Sequence, residues 1–103
     1  MGTTVVDNPQ ERRYEIFADG ELAGFAAYER TGEQVVLTHT EIGAPFEGRG
    51  LGSELVHQAL DRLREQGASI VAVCPFVRQW IARHPDYQDL EDRNRPPRGA
   101  EAD

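Results

Sequence analysis

The stretch Phe46-Glu47-Gly48-Arg49-Gly50-Leu51-Gly52-Ser53 restricts the fold more than any other part of the chain. An extended, β-branched segment, residues 34–42, runs into it, and an amphipathic pattern begins directly behind it. The order is therefore strand, glycine-rich turn, helix. Glycine lets the main chain approach a ligand closely, and the N–H groups of a helix's first turn point outward with partial positive charge. Such a turn suits a phosphate. It is equally the pattern of a plain strand-to-helix connection, because short glycine patterns recur by chance.

Behind the turn, Leu51, Leu55, Ala59 and Leu63 recur at helical spacing, with Val56 and Leu60 beside them. This apolar stripe predicts a helix over residues 50–66, with Glu54, Gln58, Asp61, Arg62 and Glu65 on its wet side and Gly67 as its stop. Residues 69–74 form a short apolar run between Gly67 and Pro75 and read as a buried strand, parallel to residues 34–42 through the helical crossover. Pro75 then opens a second, short helix, where its missing N–H costs nothing. That helix carries Phe76, Val77, Trp80 and Ile81 on one face and ends at Pro85. Residues 87–90 form one more short segment.

Upstream, residues 13–19 alternate, with Tyr14, Ile16 and Ala18 on one face and Arg13, Glu15 and Phe17 on the other. Asp19-Gly20 is a strong hairpin signal. Residues 21–30 are the return strand, in which Gly24 marks a bulge or a close backbone approach. A second tight turn, Thr31-Gly32-Glu33, leads into residues 34–42. The predicted order, β-β-β-α-β-α, gives an α/β (α+β) fold. It is a compact mixed sheet, four-stranded or slightly larger: an antiparallel meander, a β-α-β crossover and a short helix. Residues 1–8 read as a flexible N-terminus, 9–91 as the domain and 92–103 as a disordered tail.

The chain has 103 residues and reads as one domain. Its formal net charge of −7 argues against a general nucleic-acid or anionic-membrane binder, which needs a basic surface. A single cysteine forbids an intramolecular disulfide. With no secretory segment and no apolar run long enough to span a bilayer, a cytoplasmic protein is expected. No residues have metal-ligand spacing, so no metal is expected.

Ligands of such sheets sit beyond the carboxyl ends of parallel strands. Here that edge holds both the glycine turn, after Ile42, and Cys74, after the second parallel strand. Cys74 precedes a helix start that favours negative charge, and a thiol there can act as a nucleophile or as a proton donor. Unpaired cysteines in apolar strands are also ordinary core residues. His39 is a candidate general base, since an imidazole titrates near neutrality. Glu41 shares its strand face and can orient it. His57 reads as a solvated helix residue, His84 as a helix cap, and Phe76 and Trp80 as core.

Glu47-Gly48-Arg49-Gly50-Leu51-Gly52, preceded by a strand and opening an amphipathic helix, resembles the acetyl-CoA signature of the GCN5-related N-acetyltransferases, Gln/Arg-x-x-Gly-x-Gly/Ala. Gly50 and Gly52 match its last two fixed positions. Glu47 stands where Gln or Arg is usual, which removes a side-chain donor and adds a negative charge that Arg49 can offset. The chain is more similar still to a subgroup of minimal acetyltransferase-like proteins of about this size. His39-Thr40-Glu41, the glycine-turn block, Val73-Cys74-Pro75-Phe76-Val77 and Ile81-Ala82-Arg83-His84-Pro85-Asp86-Tyr87 carry that resemblance, across residues 11–90.

The resemblance implies a trimmed form of the larger fold, without the N-terminal helices that help to shape the acceptor site. It also implies acetyl-CoA (CoA) as cosubstrate and acetyl transfer to an amine, on a small molecule or a protein. The N–H groups of Phe46, Glu47, Gly48, Arg49, Gly50, Leu51, Gly52 and Ser53 would hold the pyrophosphate. Main-chain groups of Thr40, Glu41 and Ile42 would pair with the amide-rich pantetheine arm, as an added strand does, and one N–H there could stabilise an oxyanion. A monomer or weak dimer is expected. A non-catalytic CoA-binding or protein-interaction module on the same fold is the alternative.

Overall fold

Four strands, rather than three, precede the glycine turn. The computed structural model describes residues 2–92, so residues 93–103 of the expected tail lie outside the described residues. The segment expected to be flexible forms strand β1, Thr3–Asn8, antiparallel to β2, Arg13–Ala18, in a register running from Thr3↔Ala18 to Asn8↔Arg13. The reason is local: Val5 is buried in the core and Val6 faces out, the alternation of a half-buried strand. Polar residues around this short pair hid the pattern in the sequence.

β2 turns at Asp19-Gly20 into β3, Glu21–Thr31. Both turn residues have positive φ, 52° and 87°, as a two-residue hairpin of the right twist requires. β3 in turn pairs with β4, Gln34–Ile42. Gly24 meets both expectations placed on it. The register with β2 shifts beside it, leaving Ala23 without a partner, and a Cβ on Gly24 would lie 2.3 Å from the Glu41 carbonyl oxygen. A second shift makes Thr38 the extra residue of β4, its Oγ1 donating to the Ala27 carbonyl at 3.3 Å.

The chain then passes a single helical turn, Ala44–Phe46, and the glycines, and enters helix α1, Leu51–Glu65. Leu55, Ala59 and Leu63 are buried as expected, together with Leu51, Val56 and Leu60. β5, Ser69–Ala72, pairs in parallel with β4 from Gln34↔Ser69 to Leu37↔Ala72. The expected strand of residues 69–74 therefore stops two residues early. The N–H groups of Val73 and Cys74 both turn onto the Leu37 carbonyl, at 3.0 Å each. The sheet is mixed and five-stranded, in the order β1-β2-β3-β4-β5.

Helix α2, Pro75–Arg83, a turn at Pro85–Tyr87 and α3, Gln88–Asp92, run back alongside α1. Trp80 Nε1 donates to Ser53 Oγ at 2.8 Å, Tyr87 Oη donates to Asp61 at 2.6 Å, and Arg64 holds Asp89 at 2.8 Å. His57 is more than a solvated residue: it lies 3.3 Å from Asp61 and stacks on Trp80. The buried residues of these helices form one core with Val5, Tyr14, Ile16, Val35, Leu37 and Ile70. The helices thus cover one face of the sheet. By the strand registers, Val6, Glu15, Phe25, His39 and Glu41 point to the other face, where none of the described helices packs. None of the described helices is long and apolar enough to cross a membrane.

Candidate functional site

β4 and β5 part company after Leu37, and the consequences build the site. From Thr38 to Ile42 the strand pairs with β3 alone, so one edge of its main chain is left open. A cleft of about 310 Å³ runs from this opening to the glycine turn, lined by Ile42, Phe46, Glu47, Gly48, Gly50, Leu51, Gly52, Ser53 and Phe76. Gly48 and Gly50 have φ of +85° and +76°, a conformation that glycine reaches without strain. Gly50 caps α1 with no side-chain bond, and the first helical hydrogen bond is Glu54 N–H to the Gly50 carbonyl. The N–H groups of Leu51, Gly52 and Ser53 thus have no acceptor within the helix and meet the cleft at its positive end. Gly52 serves a different purpose. A Cβ there would lie 3.0 Å from the Phe76 ring and 3.6 Å from Ile42, so its absence lets α2 close over the first turn of α1.

Cys74 and Thr40 do not line the cleft but adjoin two residues that do. Thr40 lies on the same strand face as Ile42, and Cys74 is two residues before Phe76. The Cys74 S–H donates to Thr40 Oγ1 at 3.4 Å, and the thiol is buried at the N-cap position of α2. His39 and Glu41 occupy the opposite face of β4, as their pairing with Ala27 and Phe25 shows, while Thr40 pairs with the core residue Ala26. His39 Nε2 lies 3.2 Å from Glu41 Oε1, and both side chains are about 61% exposed. The imidazole and its carboxylate are therefore a pair, as expected, but the sheet separates them from the thiol.

The residues expected to bind the cosubstrate are partly gathered here. Ile42, Phe46, Glu47, Gly48, Gly50, Leu51, Gly52 and Ser53 line the cleft. Arg49 leans over the Phe46 ring, its guanidinium carbon 5.5 Å from the centroid. Thr40 and Glu41 do not line the cleft, and Glu41 turns its side chain to the opposite face of the sheet. His84 caps α2 through Nδ1, which is 2.6 Å from the Trp80 carbonyl; because a carbonyl only accepts, Nδ1 carries the proton. Phe76, assigned from its spacing to the core, is instead 41% exposed and forms a wall of the cleft. Helical periodicity identified its face but not that this face runs past the end of the sheet. Among the described residues no group of three or more His, Cys, Asp or Glu side chains is arranged to hold a metal ion.

A model of the GCN5-related N-acetyl-transferase family matches residues 13–90, from β2 into α3. The chain belongs to the GCN5-related N-acetyltransferase family. Protein NATD1 of Mus musculus is 32% identical over 84 residues, which cover 80% of this chain and 76% of the mouse protein. The match to Protein NATD1 of Homo sapiens covers 62% of this chain and 58% of the human protein. A GCN5-like protein of Staphylococcus aureus has the same fold, with a TM-score of 0.64 at 20% identity, covering 84% of this chain and 85% of that one. The GCN5-related acetyltransferase YhbS of Escherichia coli, solved in complex with CoA, superposes with a TM-score of 0.51 at 24% identity, over 58% of this chain and 38% of that one.

Proposed function

We propose that this protein transfers an acetyl group from acetyl-CoA to an amine. One observation carries the reading: a single cleft joins the uncapped N-terminus of α1 to Ile42 on the open edge of β4, and the bonded pair Thr40 and Cys74 lies two residues back along the chain from its lining residues Ile42 and Phe76. A pyrophosphate, an amide-bearing arm and a thioester need such a sequence of features: outward N–H groups, a free strand edge, and polar groups at its end. Membership of the family and the CoA complex of the E. coli relative support it.

The residues divide the chemistry by sheet face. The N–H groups of Leu51, Gly52 and Ser53 hold the phosphates, and main-chain groups of Thr38 to Ile42 align the arm. An N–H of this open edge polarises the thioester carbonyl. His39, oriented by Glu41, receives the proton of the attacking amine on the open face, directly or through water. A C–N bond forms as the C–S bond breaks, and Cys74 supplies its S–H proton to the departing CoA thiolate. Cys74 acts as acid rather than nucleophile because, among the described residues, its thiol is bonded to a hydroxyl, and the His39–Glu41 pair lies across the sheet.

Cys74 is only 4% exposed, which also fits a non-catalytic CoA-binding module with an inert core thiol. Two measurements separate the readings. Acetyl-CoA at about a hundred times its Kd should stabilise the fold by roughly 2.7 kcal/mol in either case. Only an enzyme then yields acetylated product when a panel of small amines and peptides is added and followed by mass spectrometry. Stabilisation without any product from the panel would support the module; no stabilisation would sink both.

A further inference from the structure

A second cleft of about 310 Å³ is lined by residues 10–12 of the β1–β2 turn, residues 27–29 of β3 and Thr38 of β4. It opens on the face of the sheet that none of the described helices covers. Ala27 pairs with His39, and Glu29 follows two residues on, both facing away from the buried Ala26 and Tyr28. Thr38 directly precedes His39, so the cleft begins beside the His39–Glu41 pair. Its other wall is held in place by the main chain. The Glu11 N–H donates to the Asn8 carbonyl and the Arg12 N–H to the Pro9 carbonyl, each at 3.1 Å, and the Arg12 carbonyl accepts from the Tyr28 N–H at 2.9 Å. Arg12 has a φ of 57°, left-handed and uncommon outside glycine, so the turn is tied to β3 in one particular shape. Arg12 Nη1 lies 3.4 Å from Glu29 Oε1, whereas among the described residues no cation pairs with Glu11. Two carboxylates against one guanidinium leave the lining negative. Two residues of antiparallel strand span about 7 Å, so Glu29 stands that far along β3 from the position opposite His39.

We infer that this cleft holds the acetyl acceptor, and that the acceptor is an amine carrying a second cationic group about 7 Å from the reacting nitrogen. The assignment rests on the acetyl-transfer reading above and adds the class of substrate to it. The reacting nitrogen gives its proton to His39, while the second cation lies between Glu11 and Glu29 and shares Glu29 with Arg12. An acceptor with a carboxylate at that distance meets two carboxylates and a guanidinium already paired. An ion pair at so open a site gives a preference of about fivefold over an acceptor that lacks the second charge.

Acetylation rates of the full chain with three amines of matched length test this: 1,5-diaminopentane, pentylamine and 5-aminopentanoate. After a twofold correction for its identical ends, the diamine should exceed pentylamine about fivefold in kcat/KM, with 5-aminopentanoate the poorest. The preference should shrink with added salt. Glu11→Gln combined with Glu29→Gln should bring the ratio of diamine to pentylamine close to one, and Arg12→Gln, which frees Glu29, should raise it. Equal kcat/KM for the diamine and pentylamine in the parent, a preference that survives the paired substitutions, or 5-aminopentanoate as the best of the three overturns the assignment while leaving acetyl transfer intact. Absence of product from all three overturns it as well, and acetyl transfer falls with it only if the wider panel of amines and peptides also gives none.

Discussion

The Cys74 thiol donates to Thr40 Oγ1 at 3.4 Å, on the face of β4 that His39 does not share. The contact spans the gap that opens when β5 leaves β4 after Leu37. It fixes the thiol against β4 and gives it a neutral partner. Among the described residues, neither a carboxylate nor an imidazole is bonded to this thiol.

The first prediction is that Cys74 is not acetylated during turnover. The sequence contains no lysine, so an acetyl mass on any side chain after incubation with acetyl-CoA would point to Cys74. The expected mass spectrum shows no hydroxylamine-labile adduct. Cys74→Ala should lower turnover by about 10²-fold or more, within the usual contribution of a positioned acid, with CoA affinity unchanged. A labile adduct in the parent, absent from Cys74→Ser, would make Cys74 the nucleophile instead.

Glu47 places a carboxylate on the wall of the cleft where a dianionic pyrophosphate is to sit. Glu47→Gln should therefore tighten CoA binding by about two- to fivefold, the effect of one exposed charge. The gain should shrink with added salt, since such charges are screened beyond about 8 Å at physiological ionic strength. An unchanged or weaker affinity at low salt would show that Glu47 faces away from the phosphates.

Most of the fold was legible because the decisive signals were local. Asp19-Gly20 specified its hairpin, and the spacing of Leu55, Ala59 and Leu63 specified the buried side of α1. β1 is not legible in the sequence because one inward valine among polar neighbours is too little pattern to read. The end of β5 was misplaced because Val73 and Cys74 remain apolar after the pairing has stopped; a departure from the sheet is a tertiary event. The glycine turn of the site was readable for the same local reason as the hairpin. That His39 and Cys74 fall on opposite faces was not, because the extra residue at Thr38 reverses the alternation within β4. Phe76 looked like core because periodicity reports a face and cannot report what covers it.

Gly24 marks the tightest approach of β3 to β4. An added Cβ would lie 2.3 Å from the Glu41 carbonyl oxygen, a main-chain atom that cannot rotate away. Gly24→Ala should cost about 1–3 kcal/mol in urea unfolding, the range of forced overpacking, and should weaken CoA binding by moving the strand edge. Leu55→Ala, at a site with no exposure, should cost about 2–5 kcal/mol. Near-neutral stability for Gly24→Ala would mean that the two strands are further apart than they stand here.

The last prediction concerns alkaline pH. The chain has three tyrosines, and the fold raises the phenol pKa of each. Burial, assisted by the charge of Asp7, pushes Tyr14 up to about 12. Its hydroxyl is buried without a hydrogen-bond partner among the described residues. Burial and the hydrogen bond to Asp7 push Tyr28 up as well. Burial, and then the hydrogen bond to Asp61, push Tyr87 up to about 12. Below the ordinary value of 10.0 both folded and unfolded chains keep these protons, so the contribution to stability is complete. Between that value and about 12 the unfolded chain releases them while the folded chain retains them. The unfolded state then binds fewer protons, and stability falls as pH rises through this window. Near-ultraviolet titration should show no tyrosinate from the native protein at the ordinary midpoint, and a full signal at that pH in concentrated urea. Tyrosinate from a chain whose far-ultraviolet dichroism is still native, with a midpoint near 10, would show that the phenols are not held as the packing of α1 on the sheet and against Tyr87 requires.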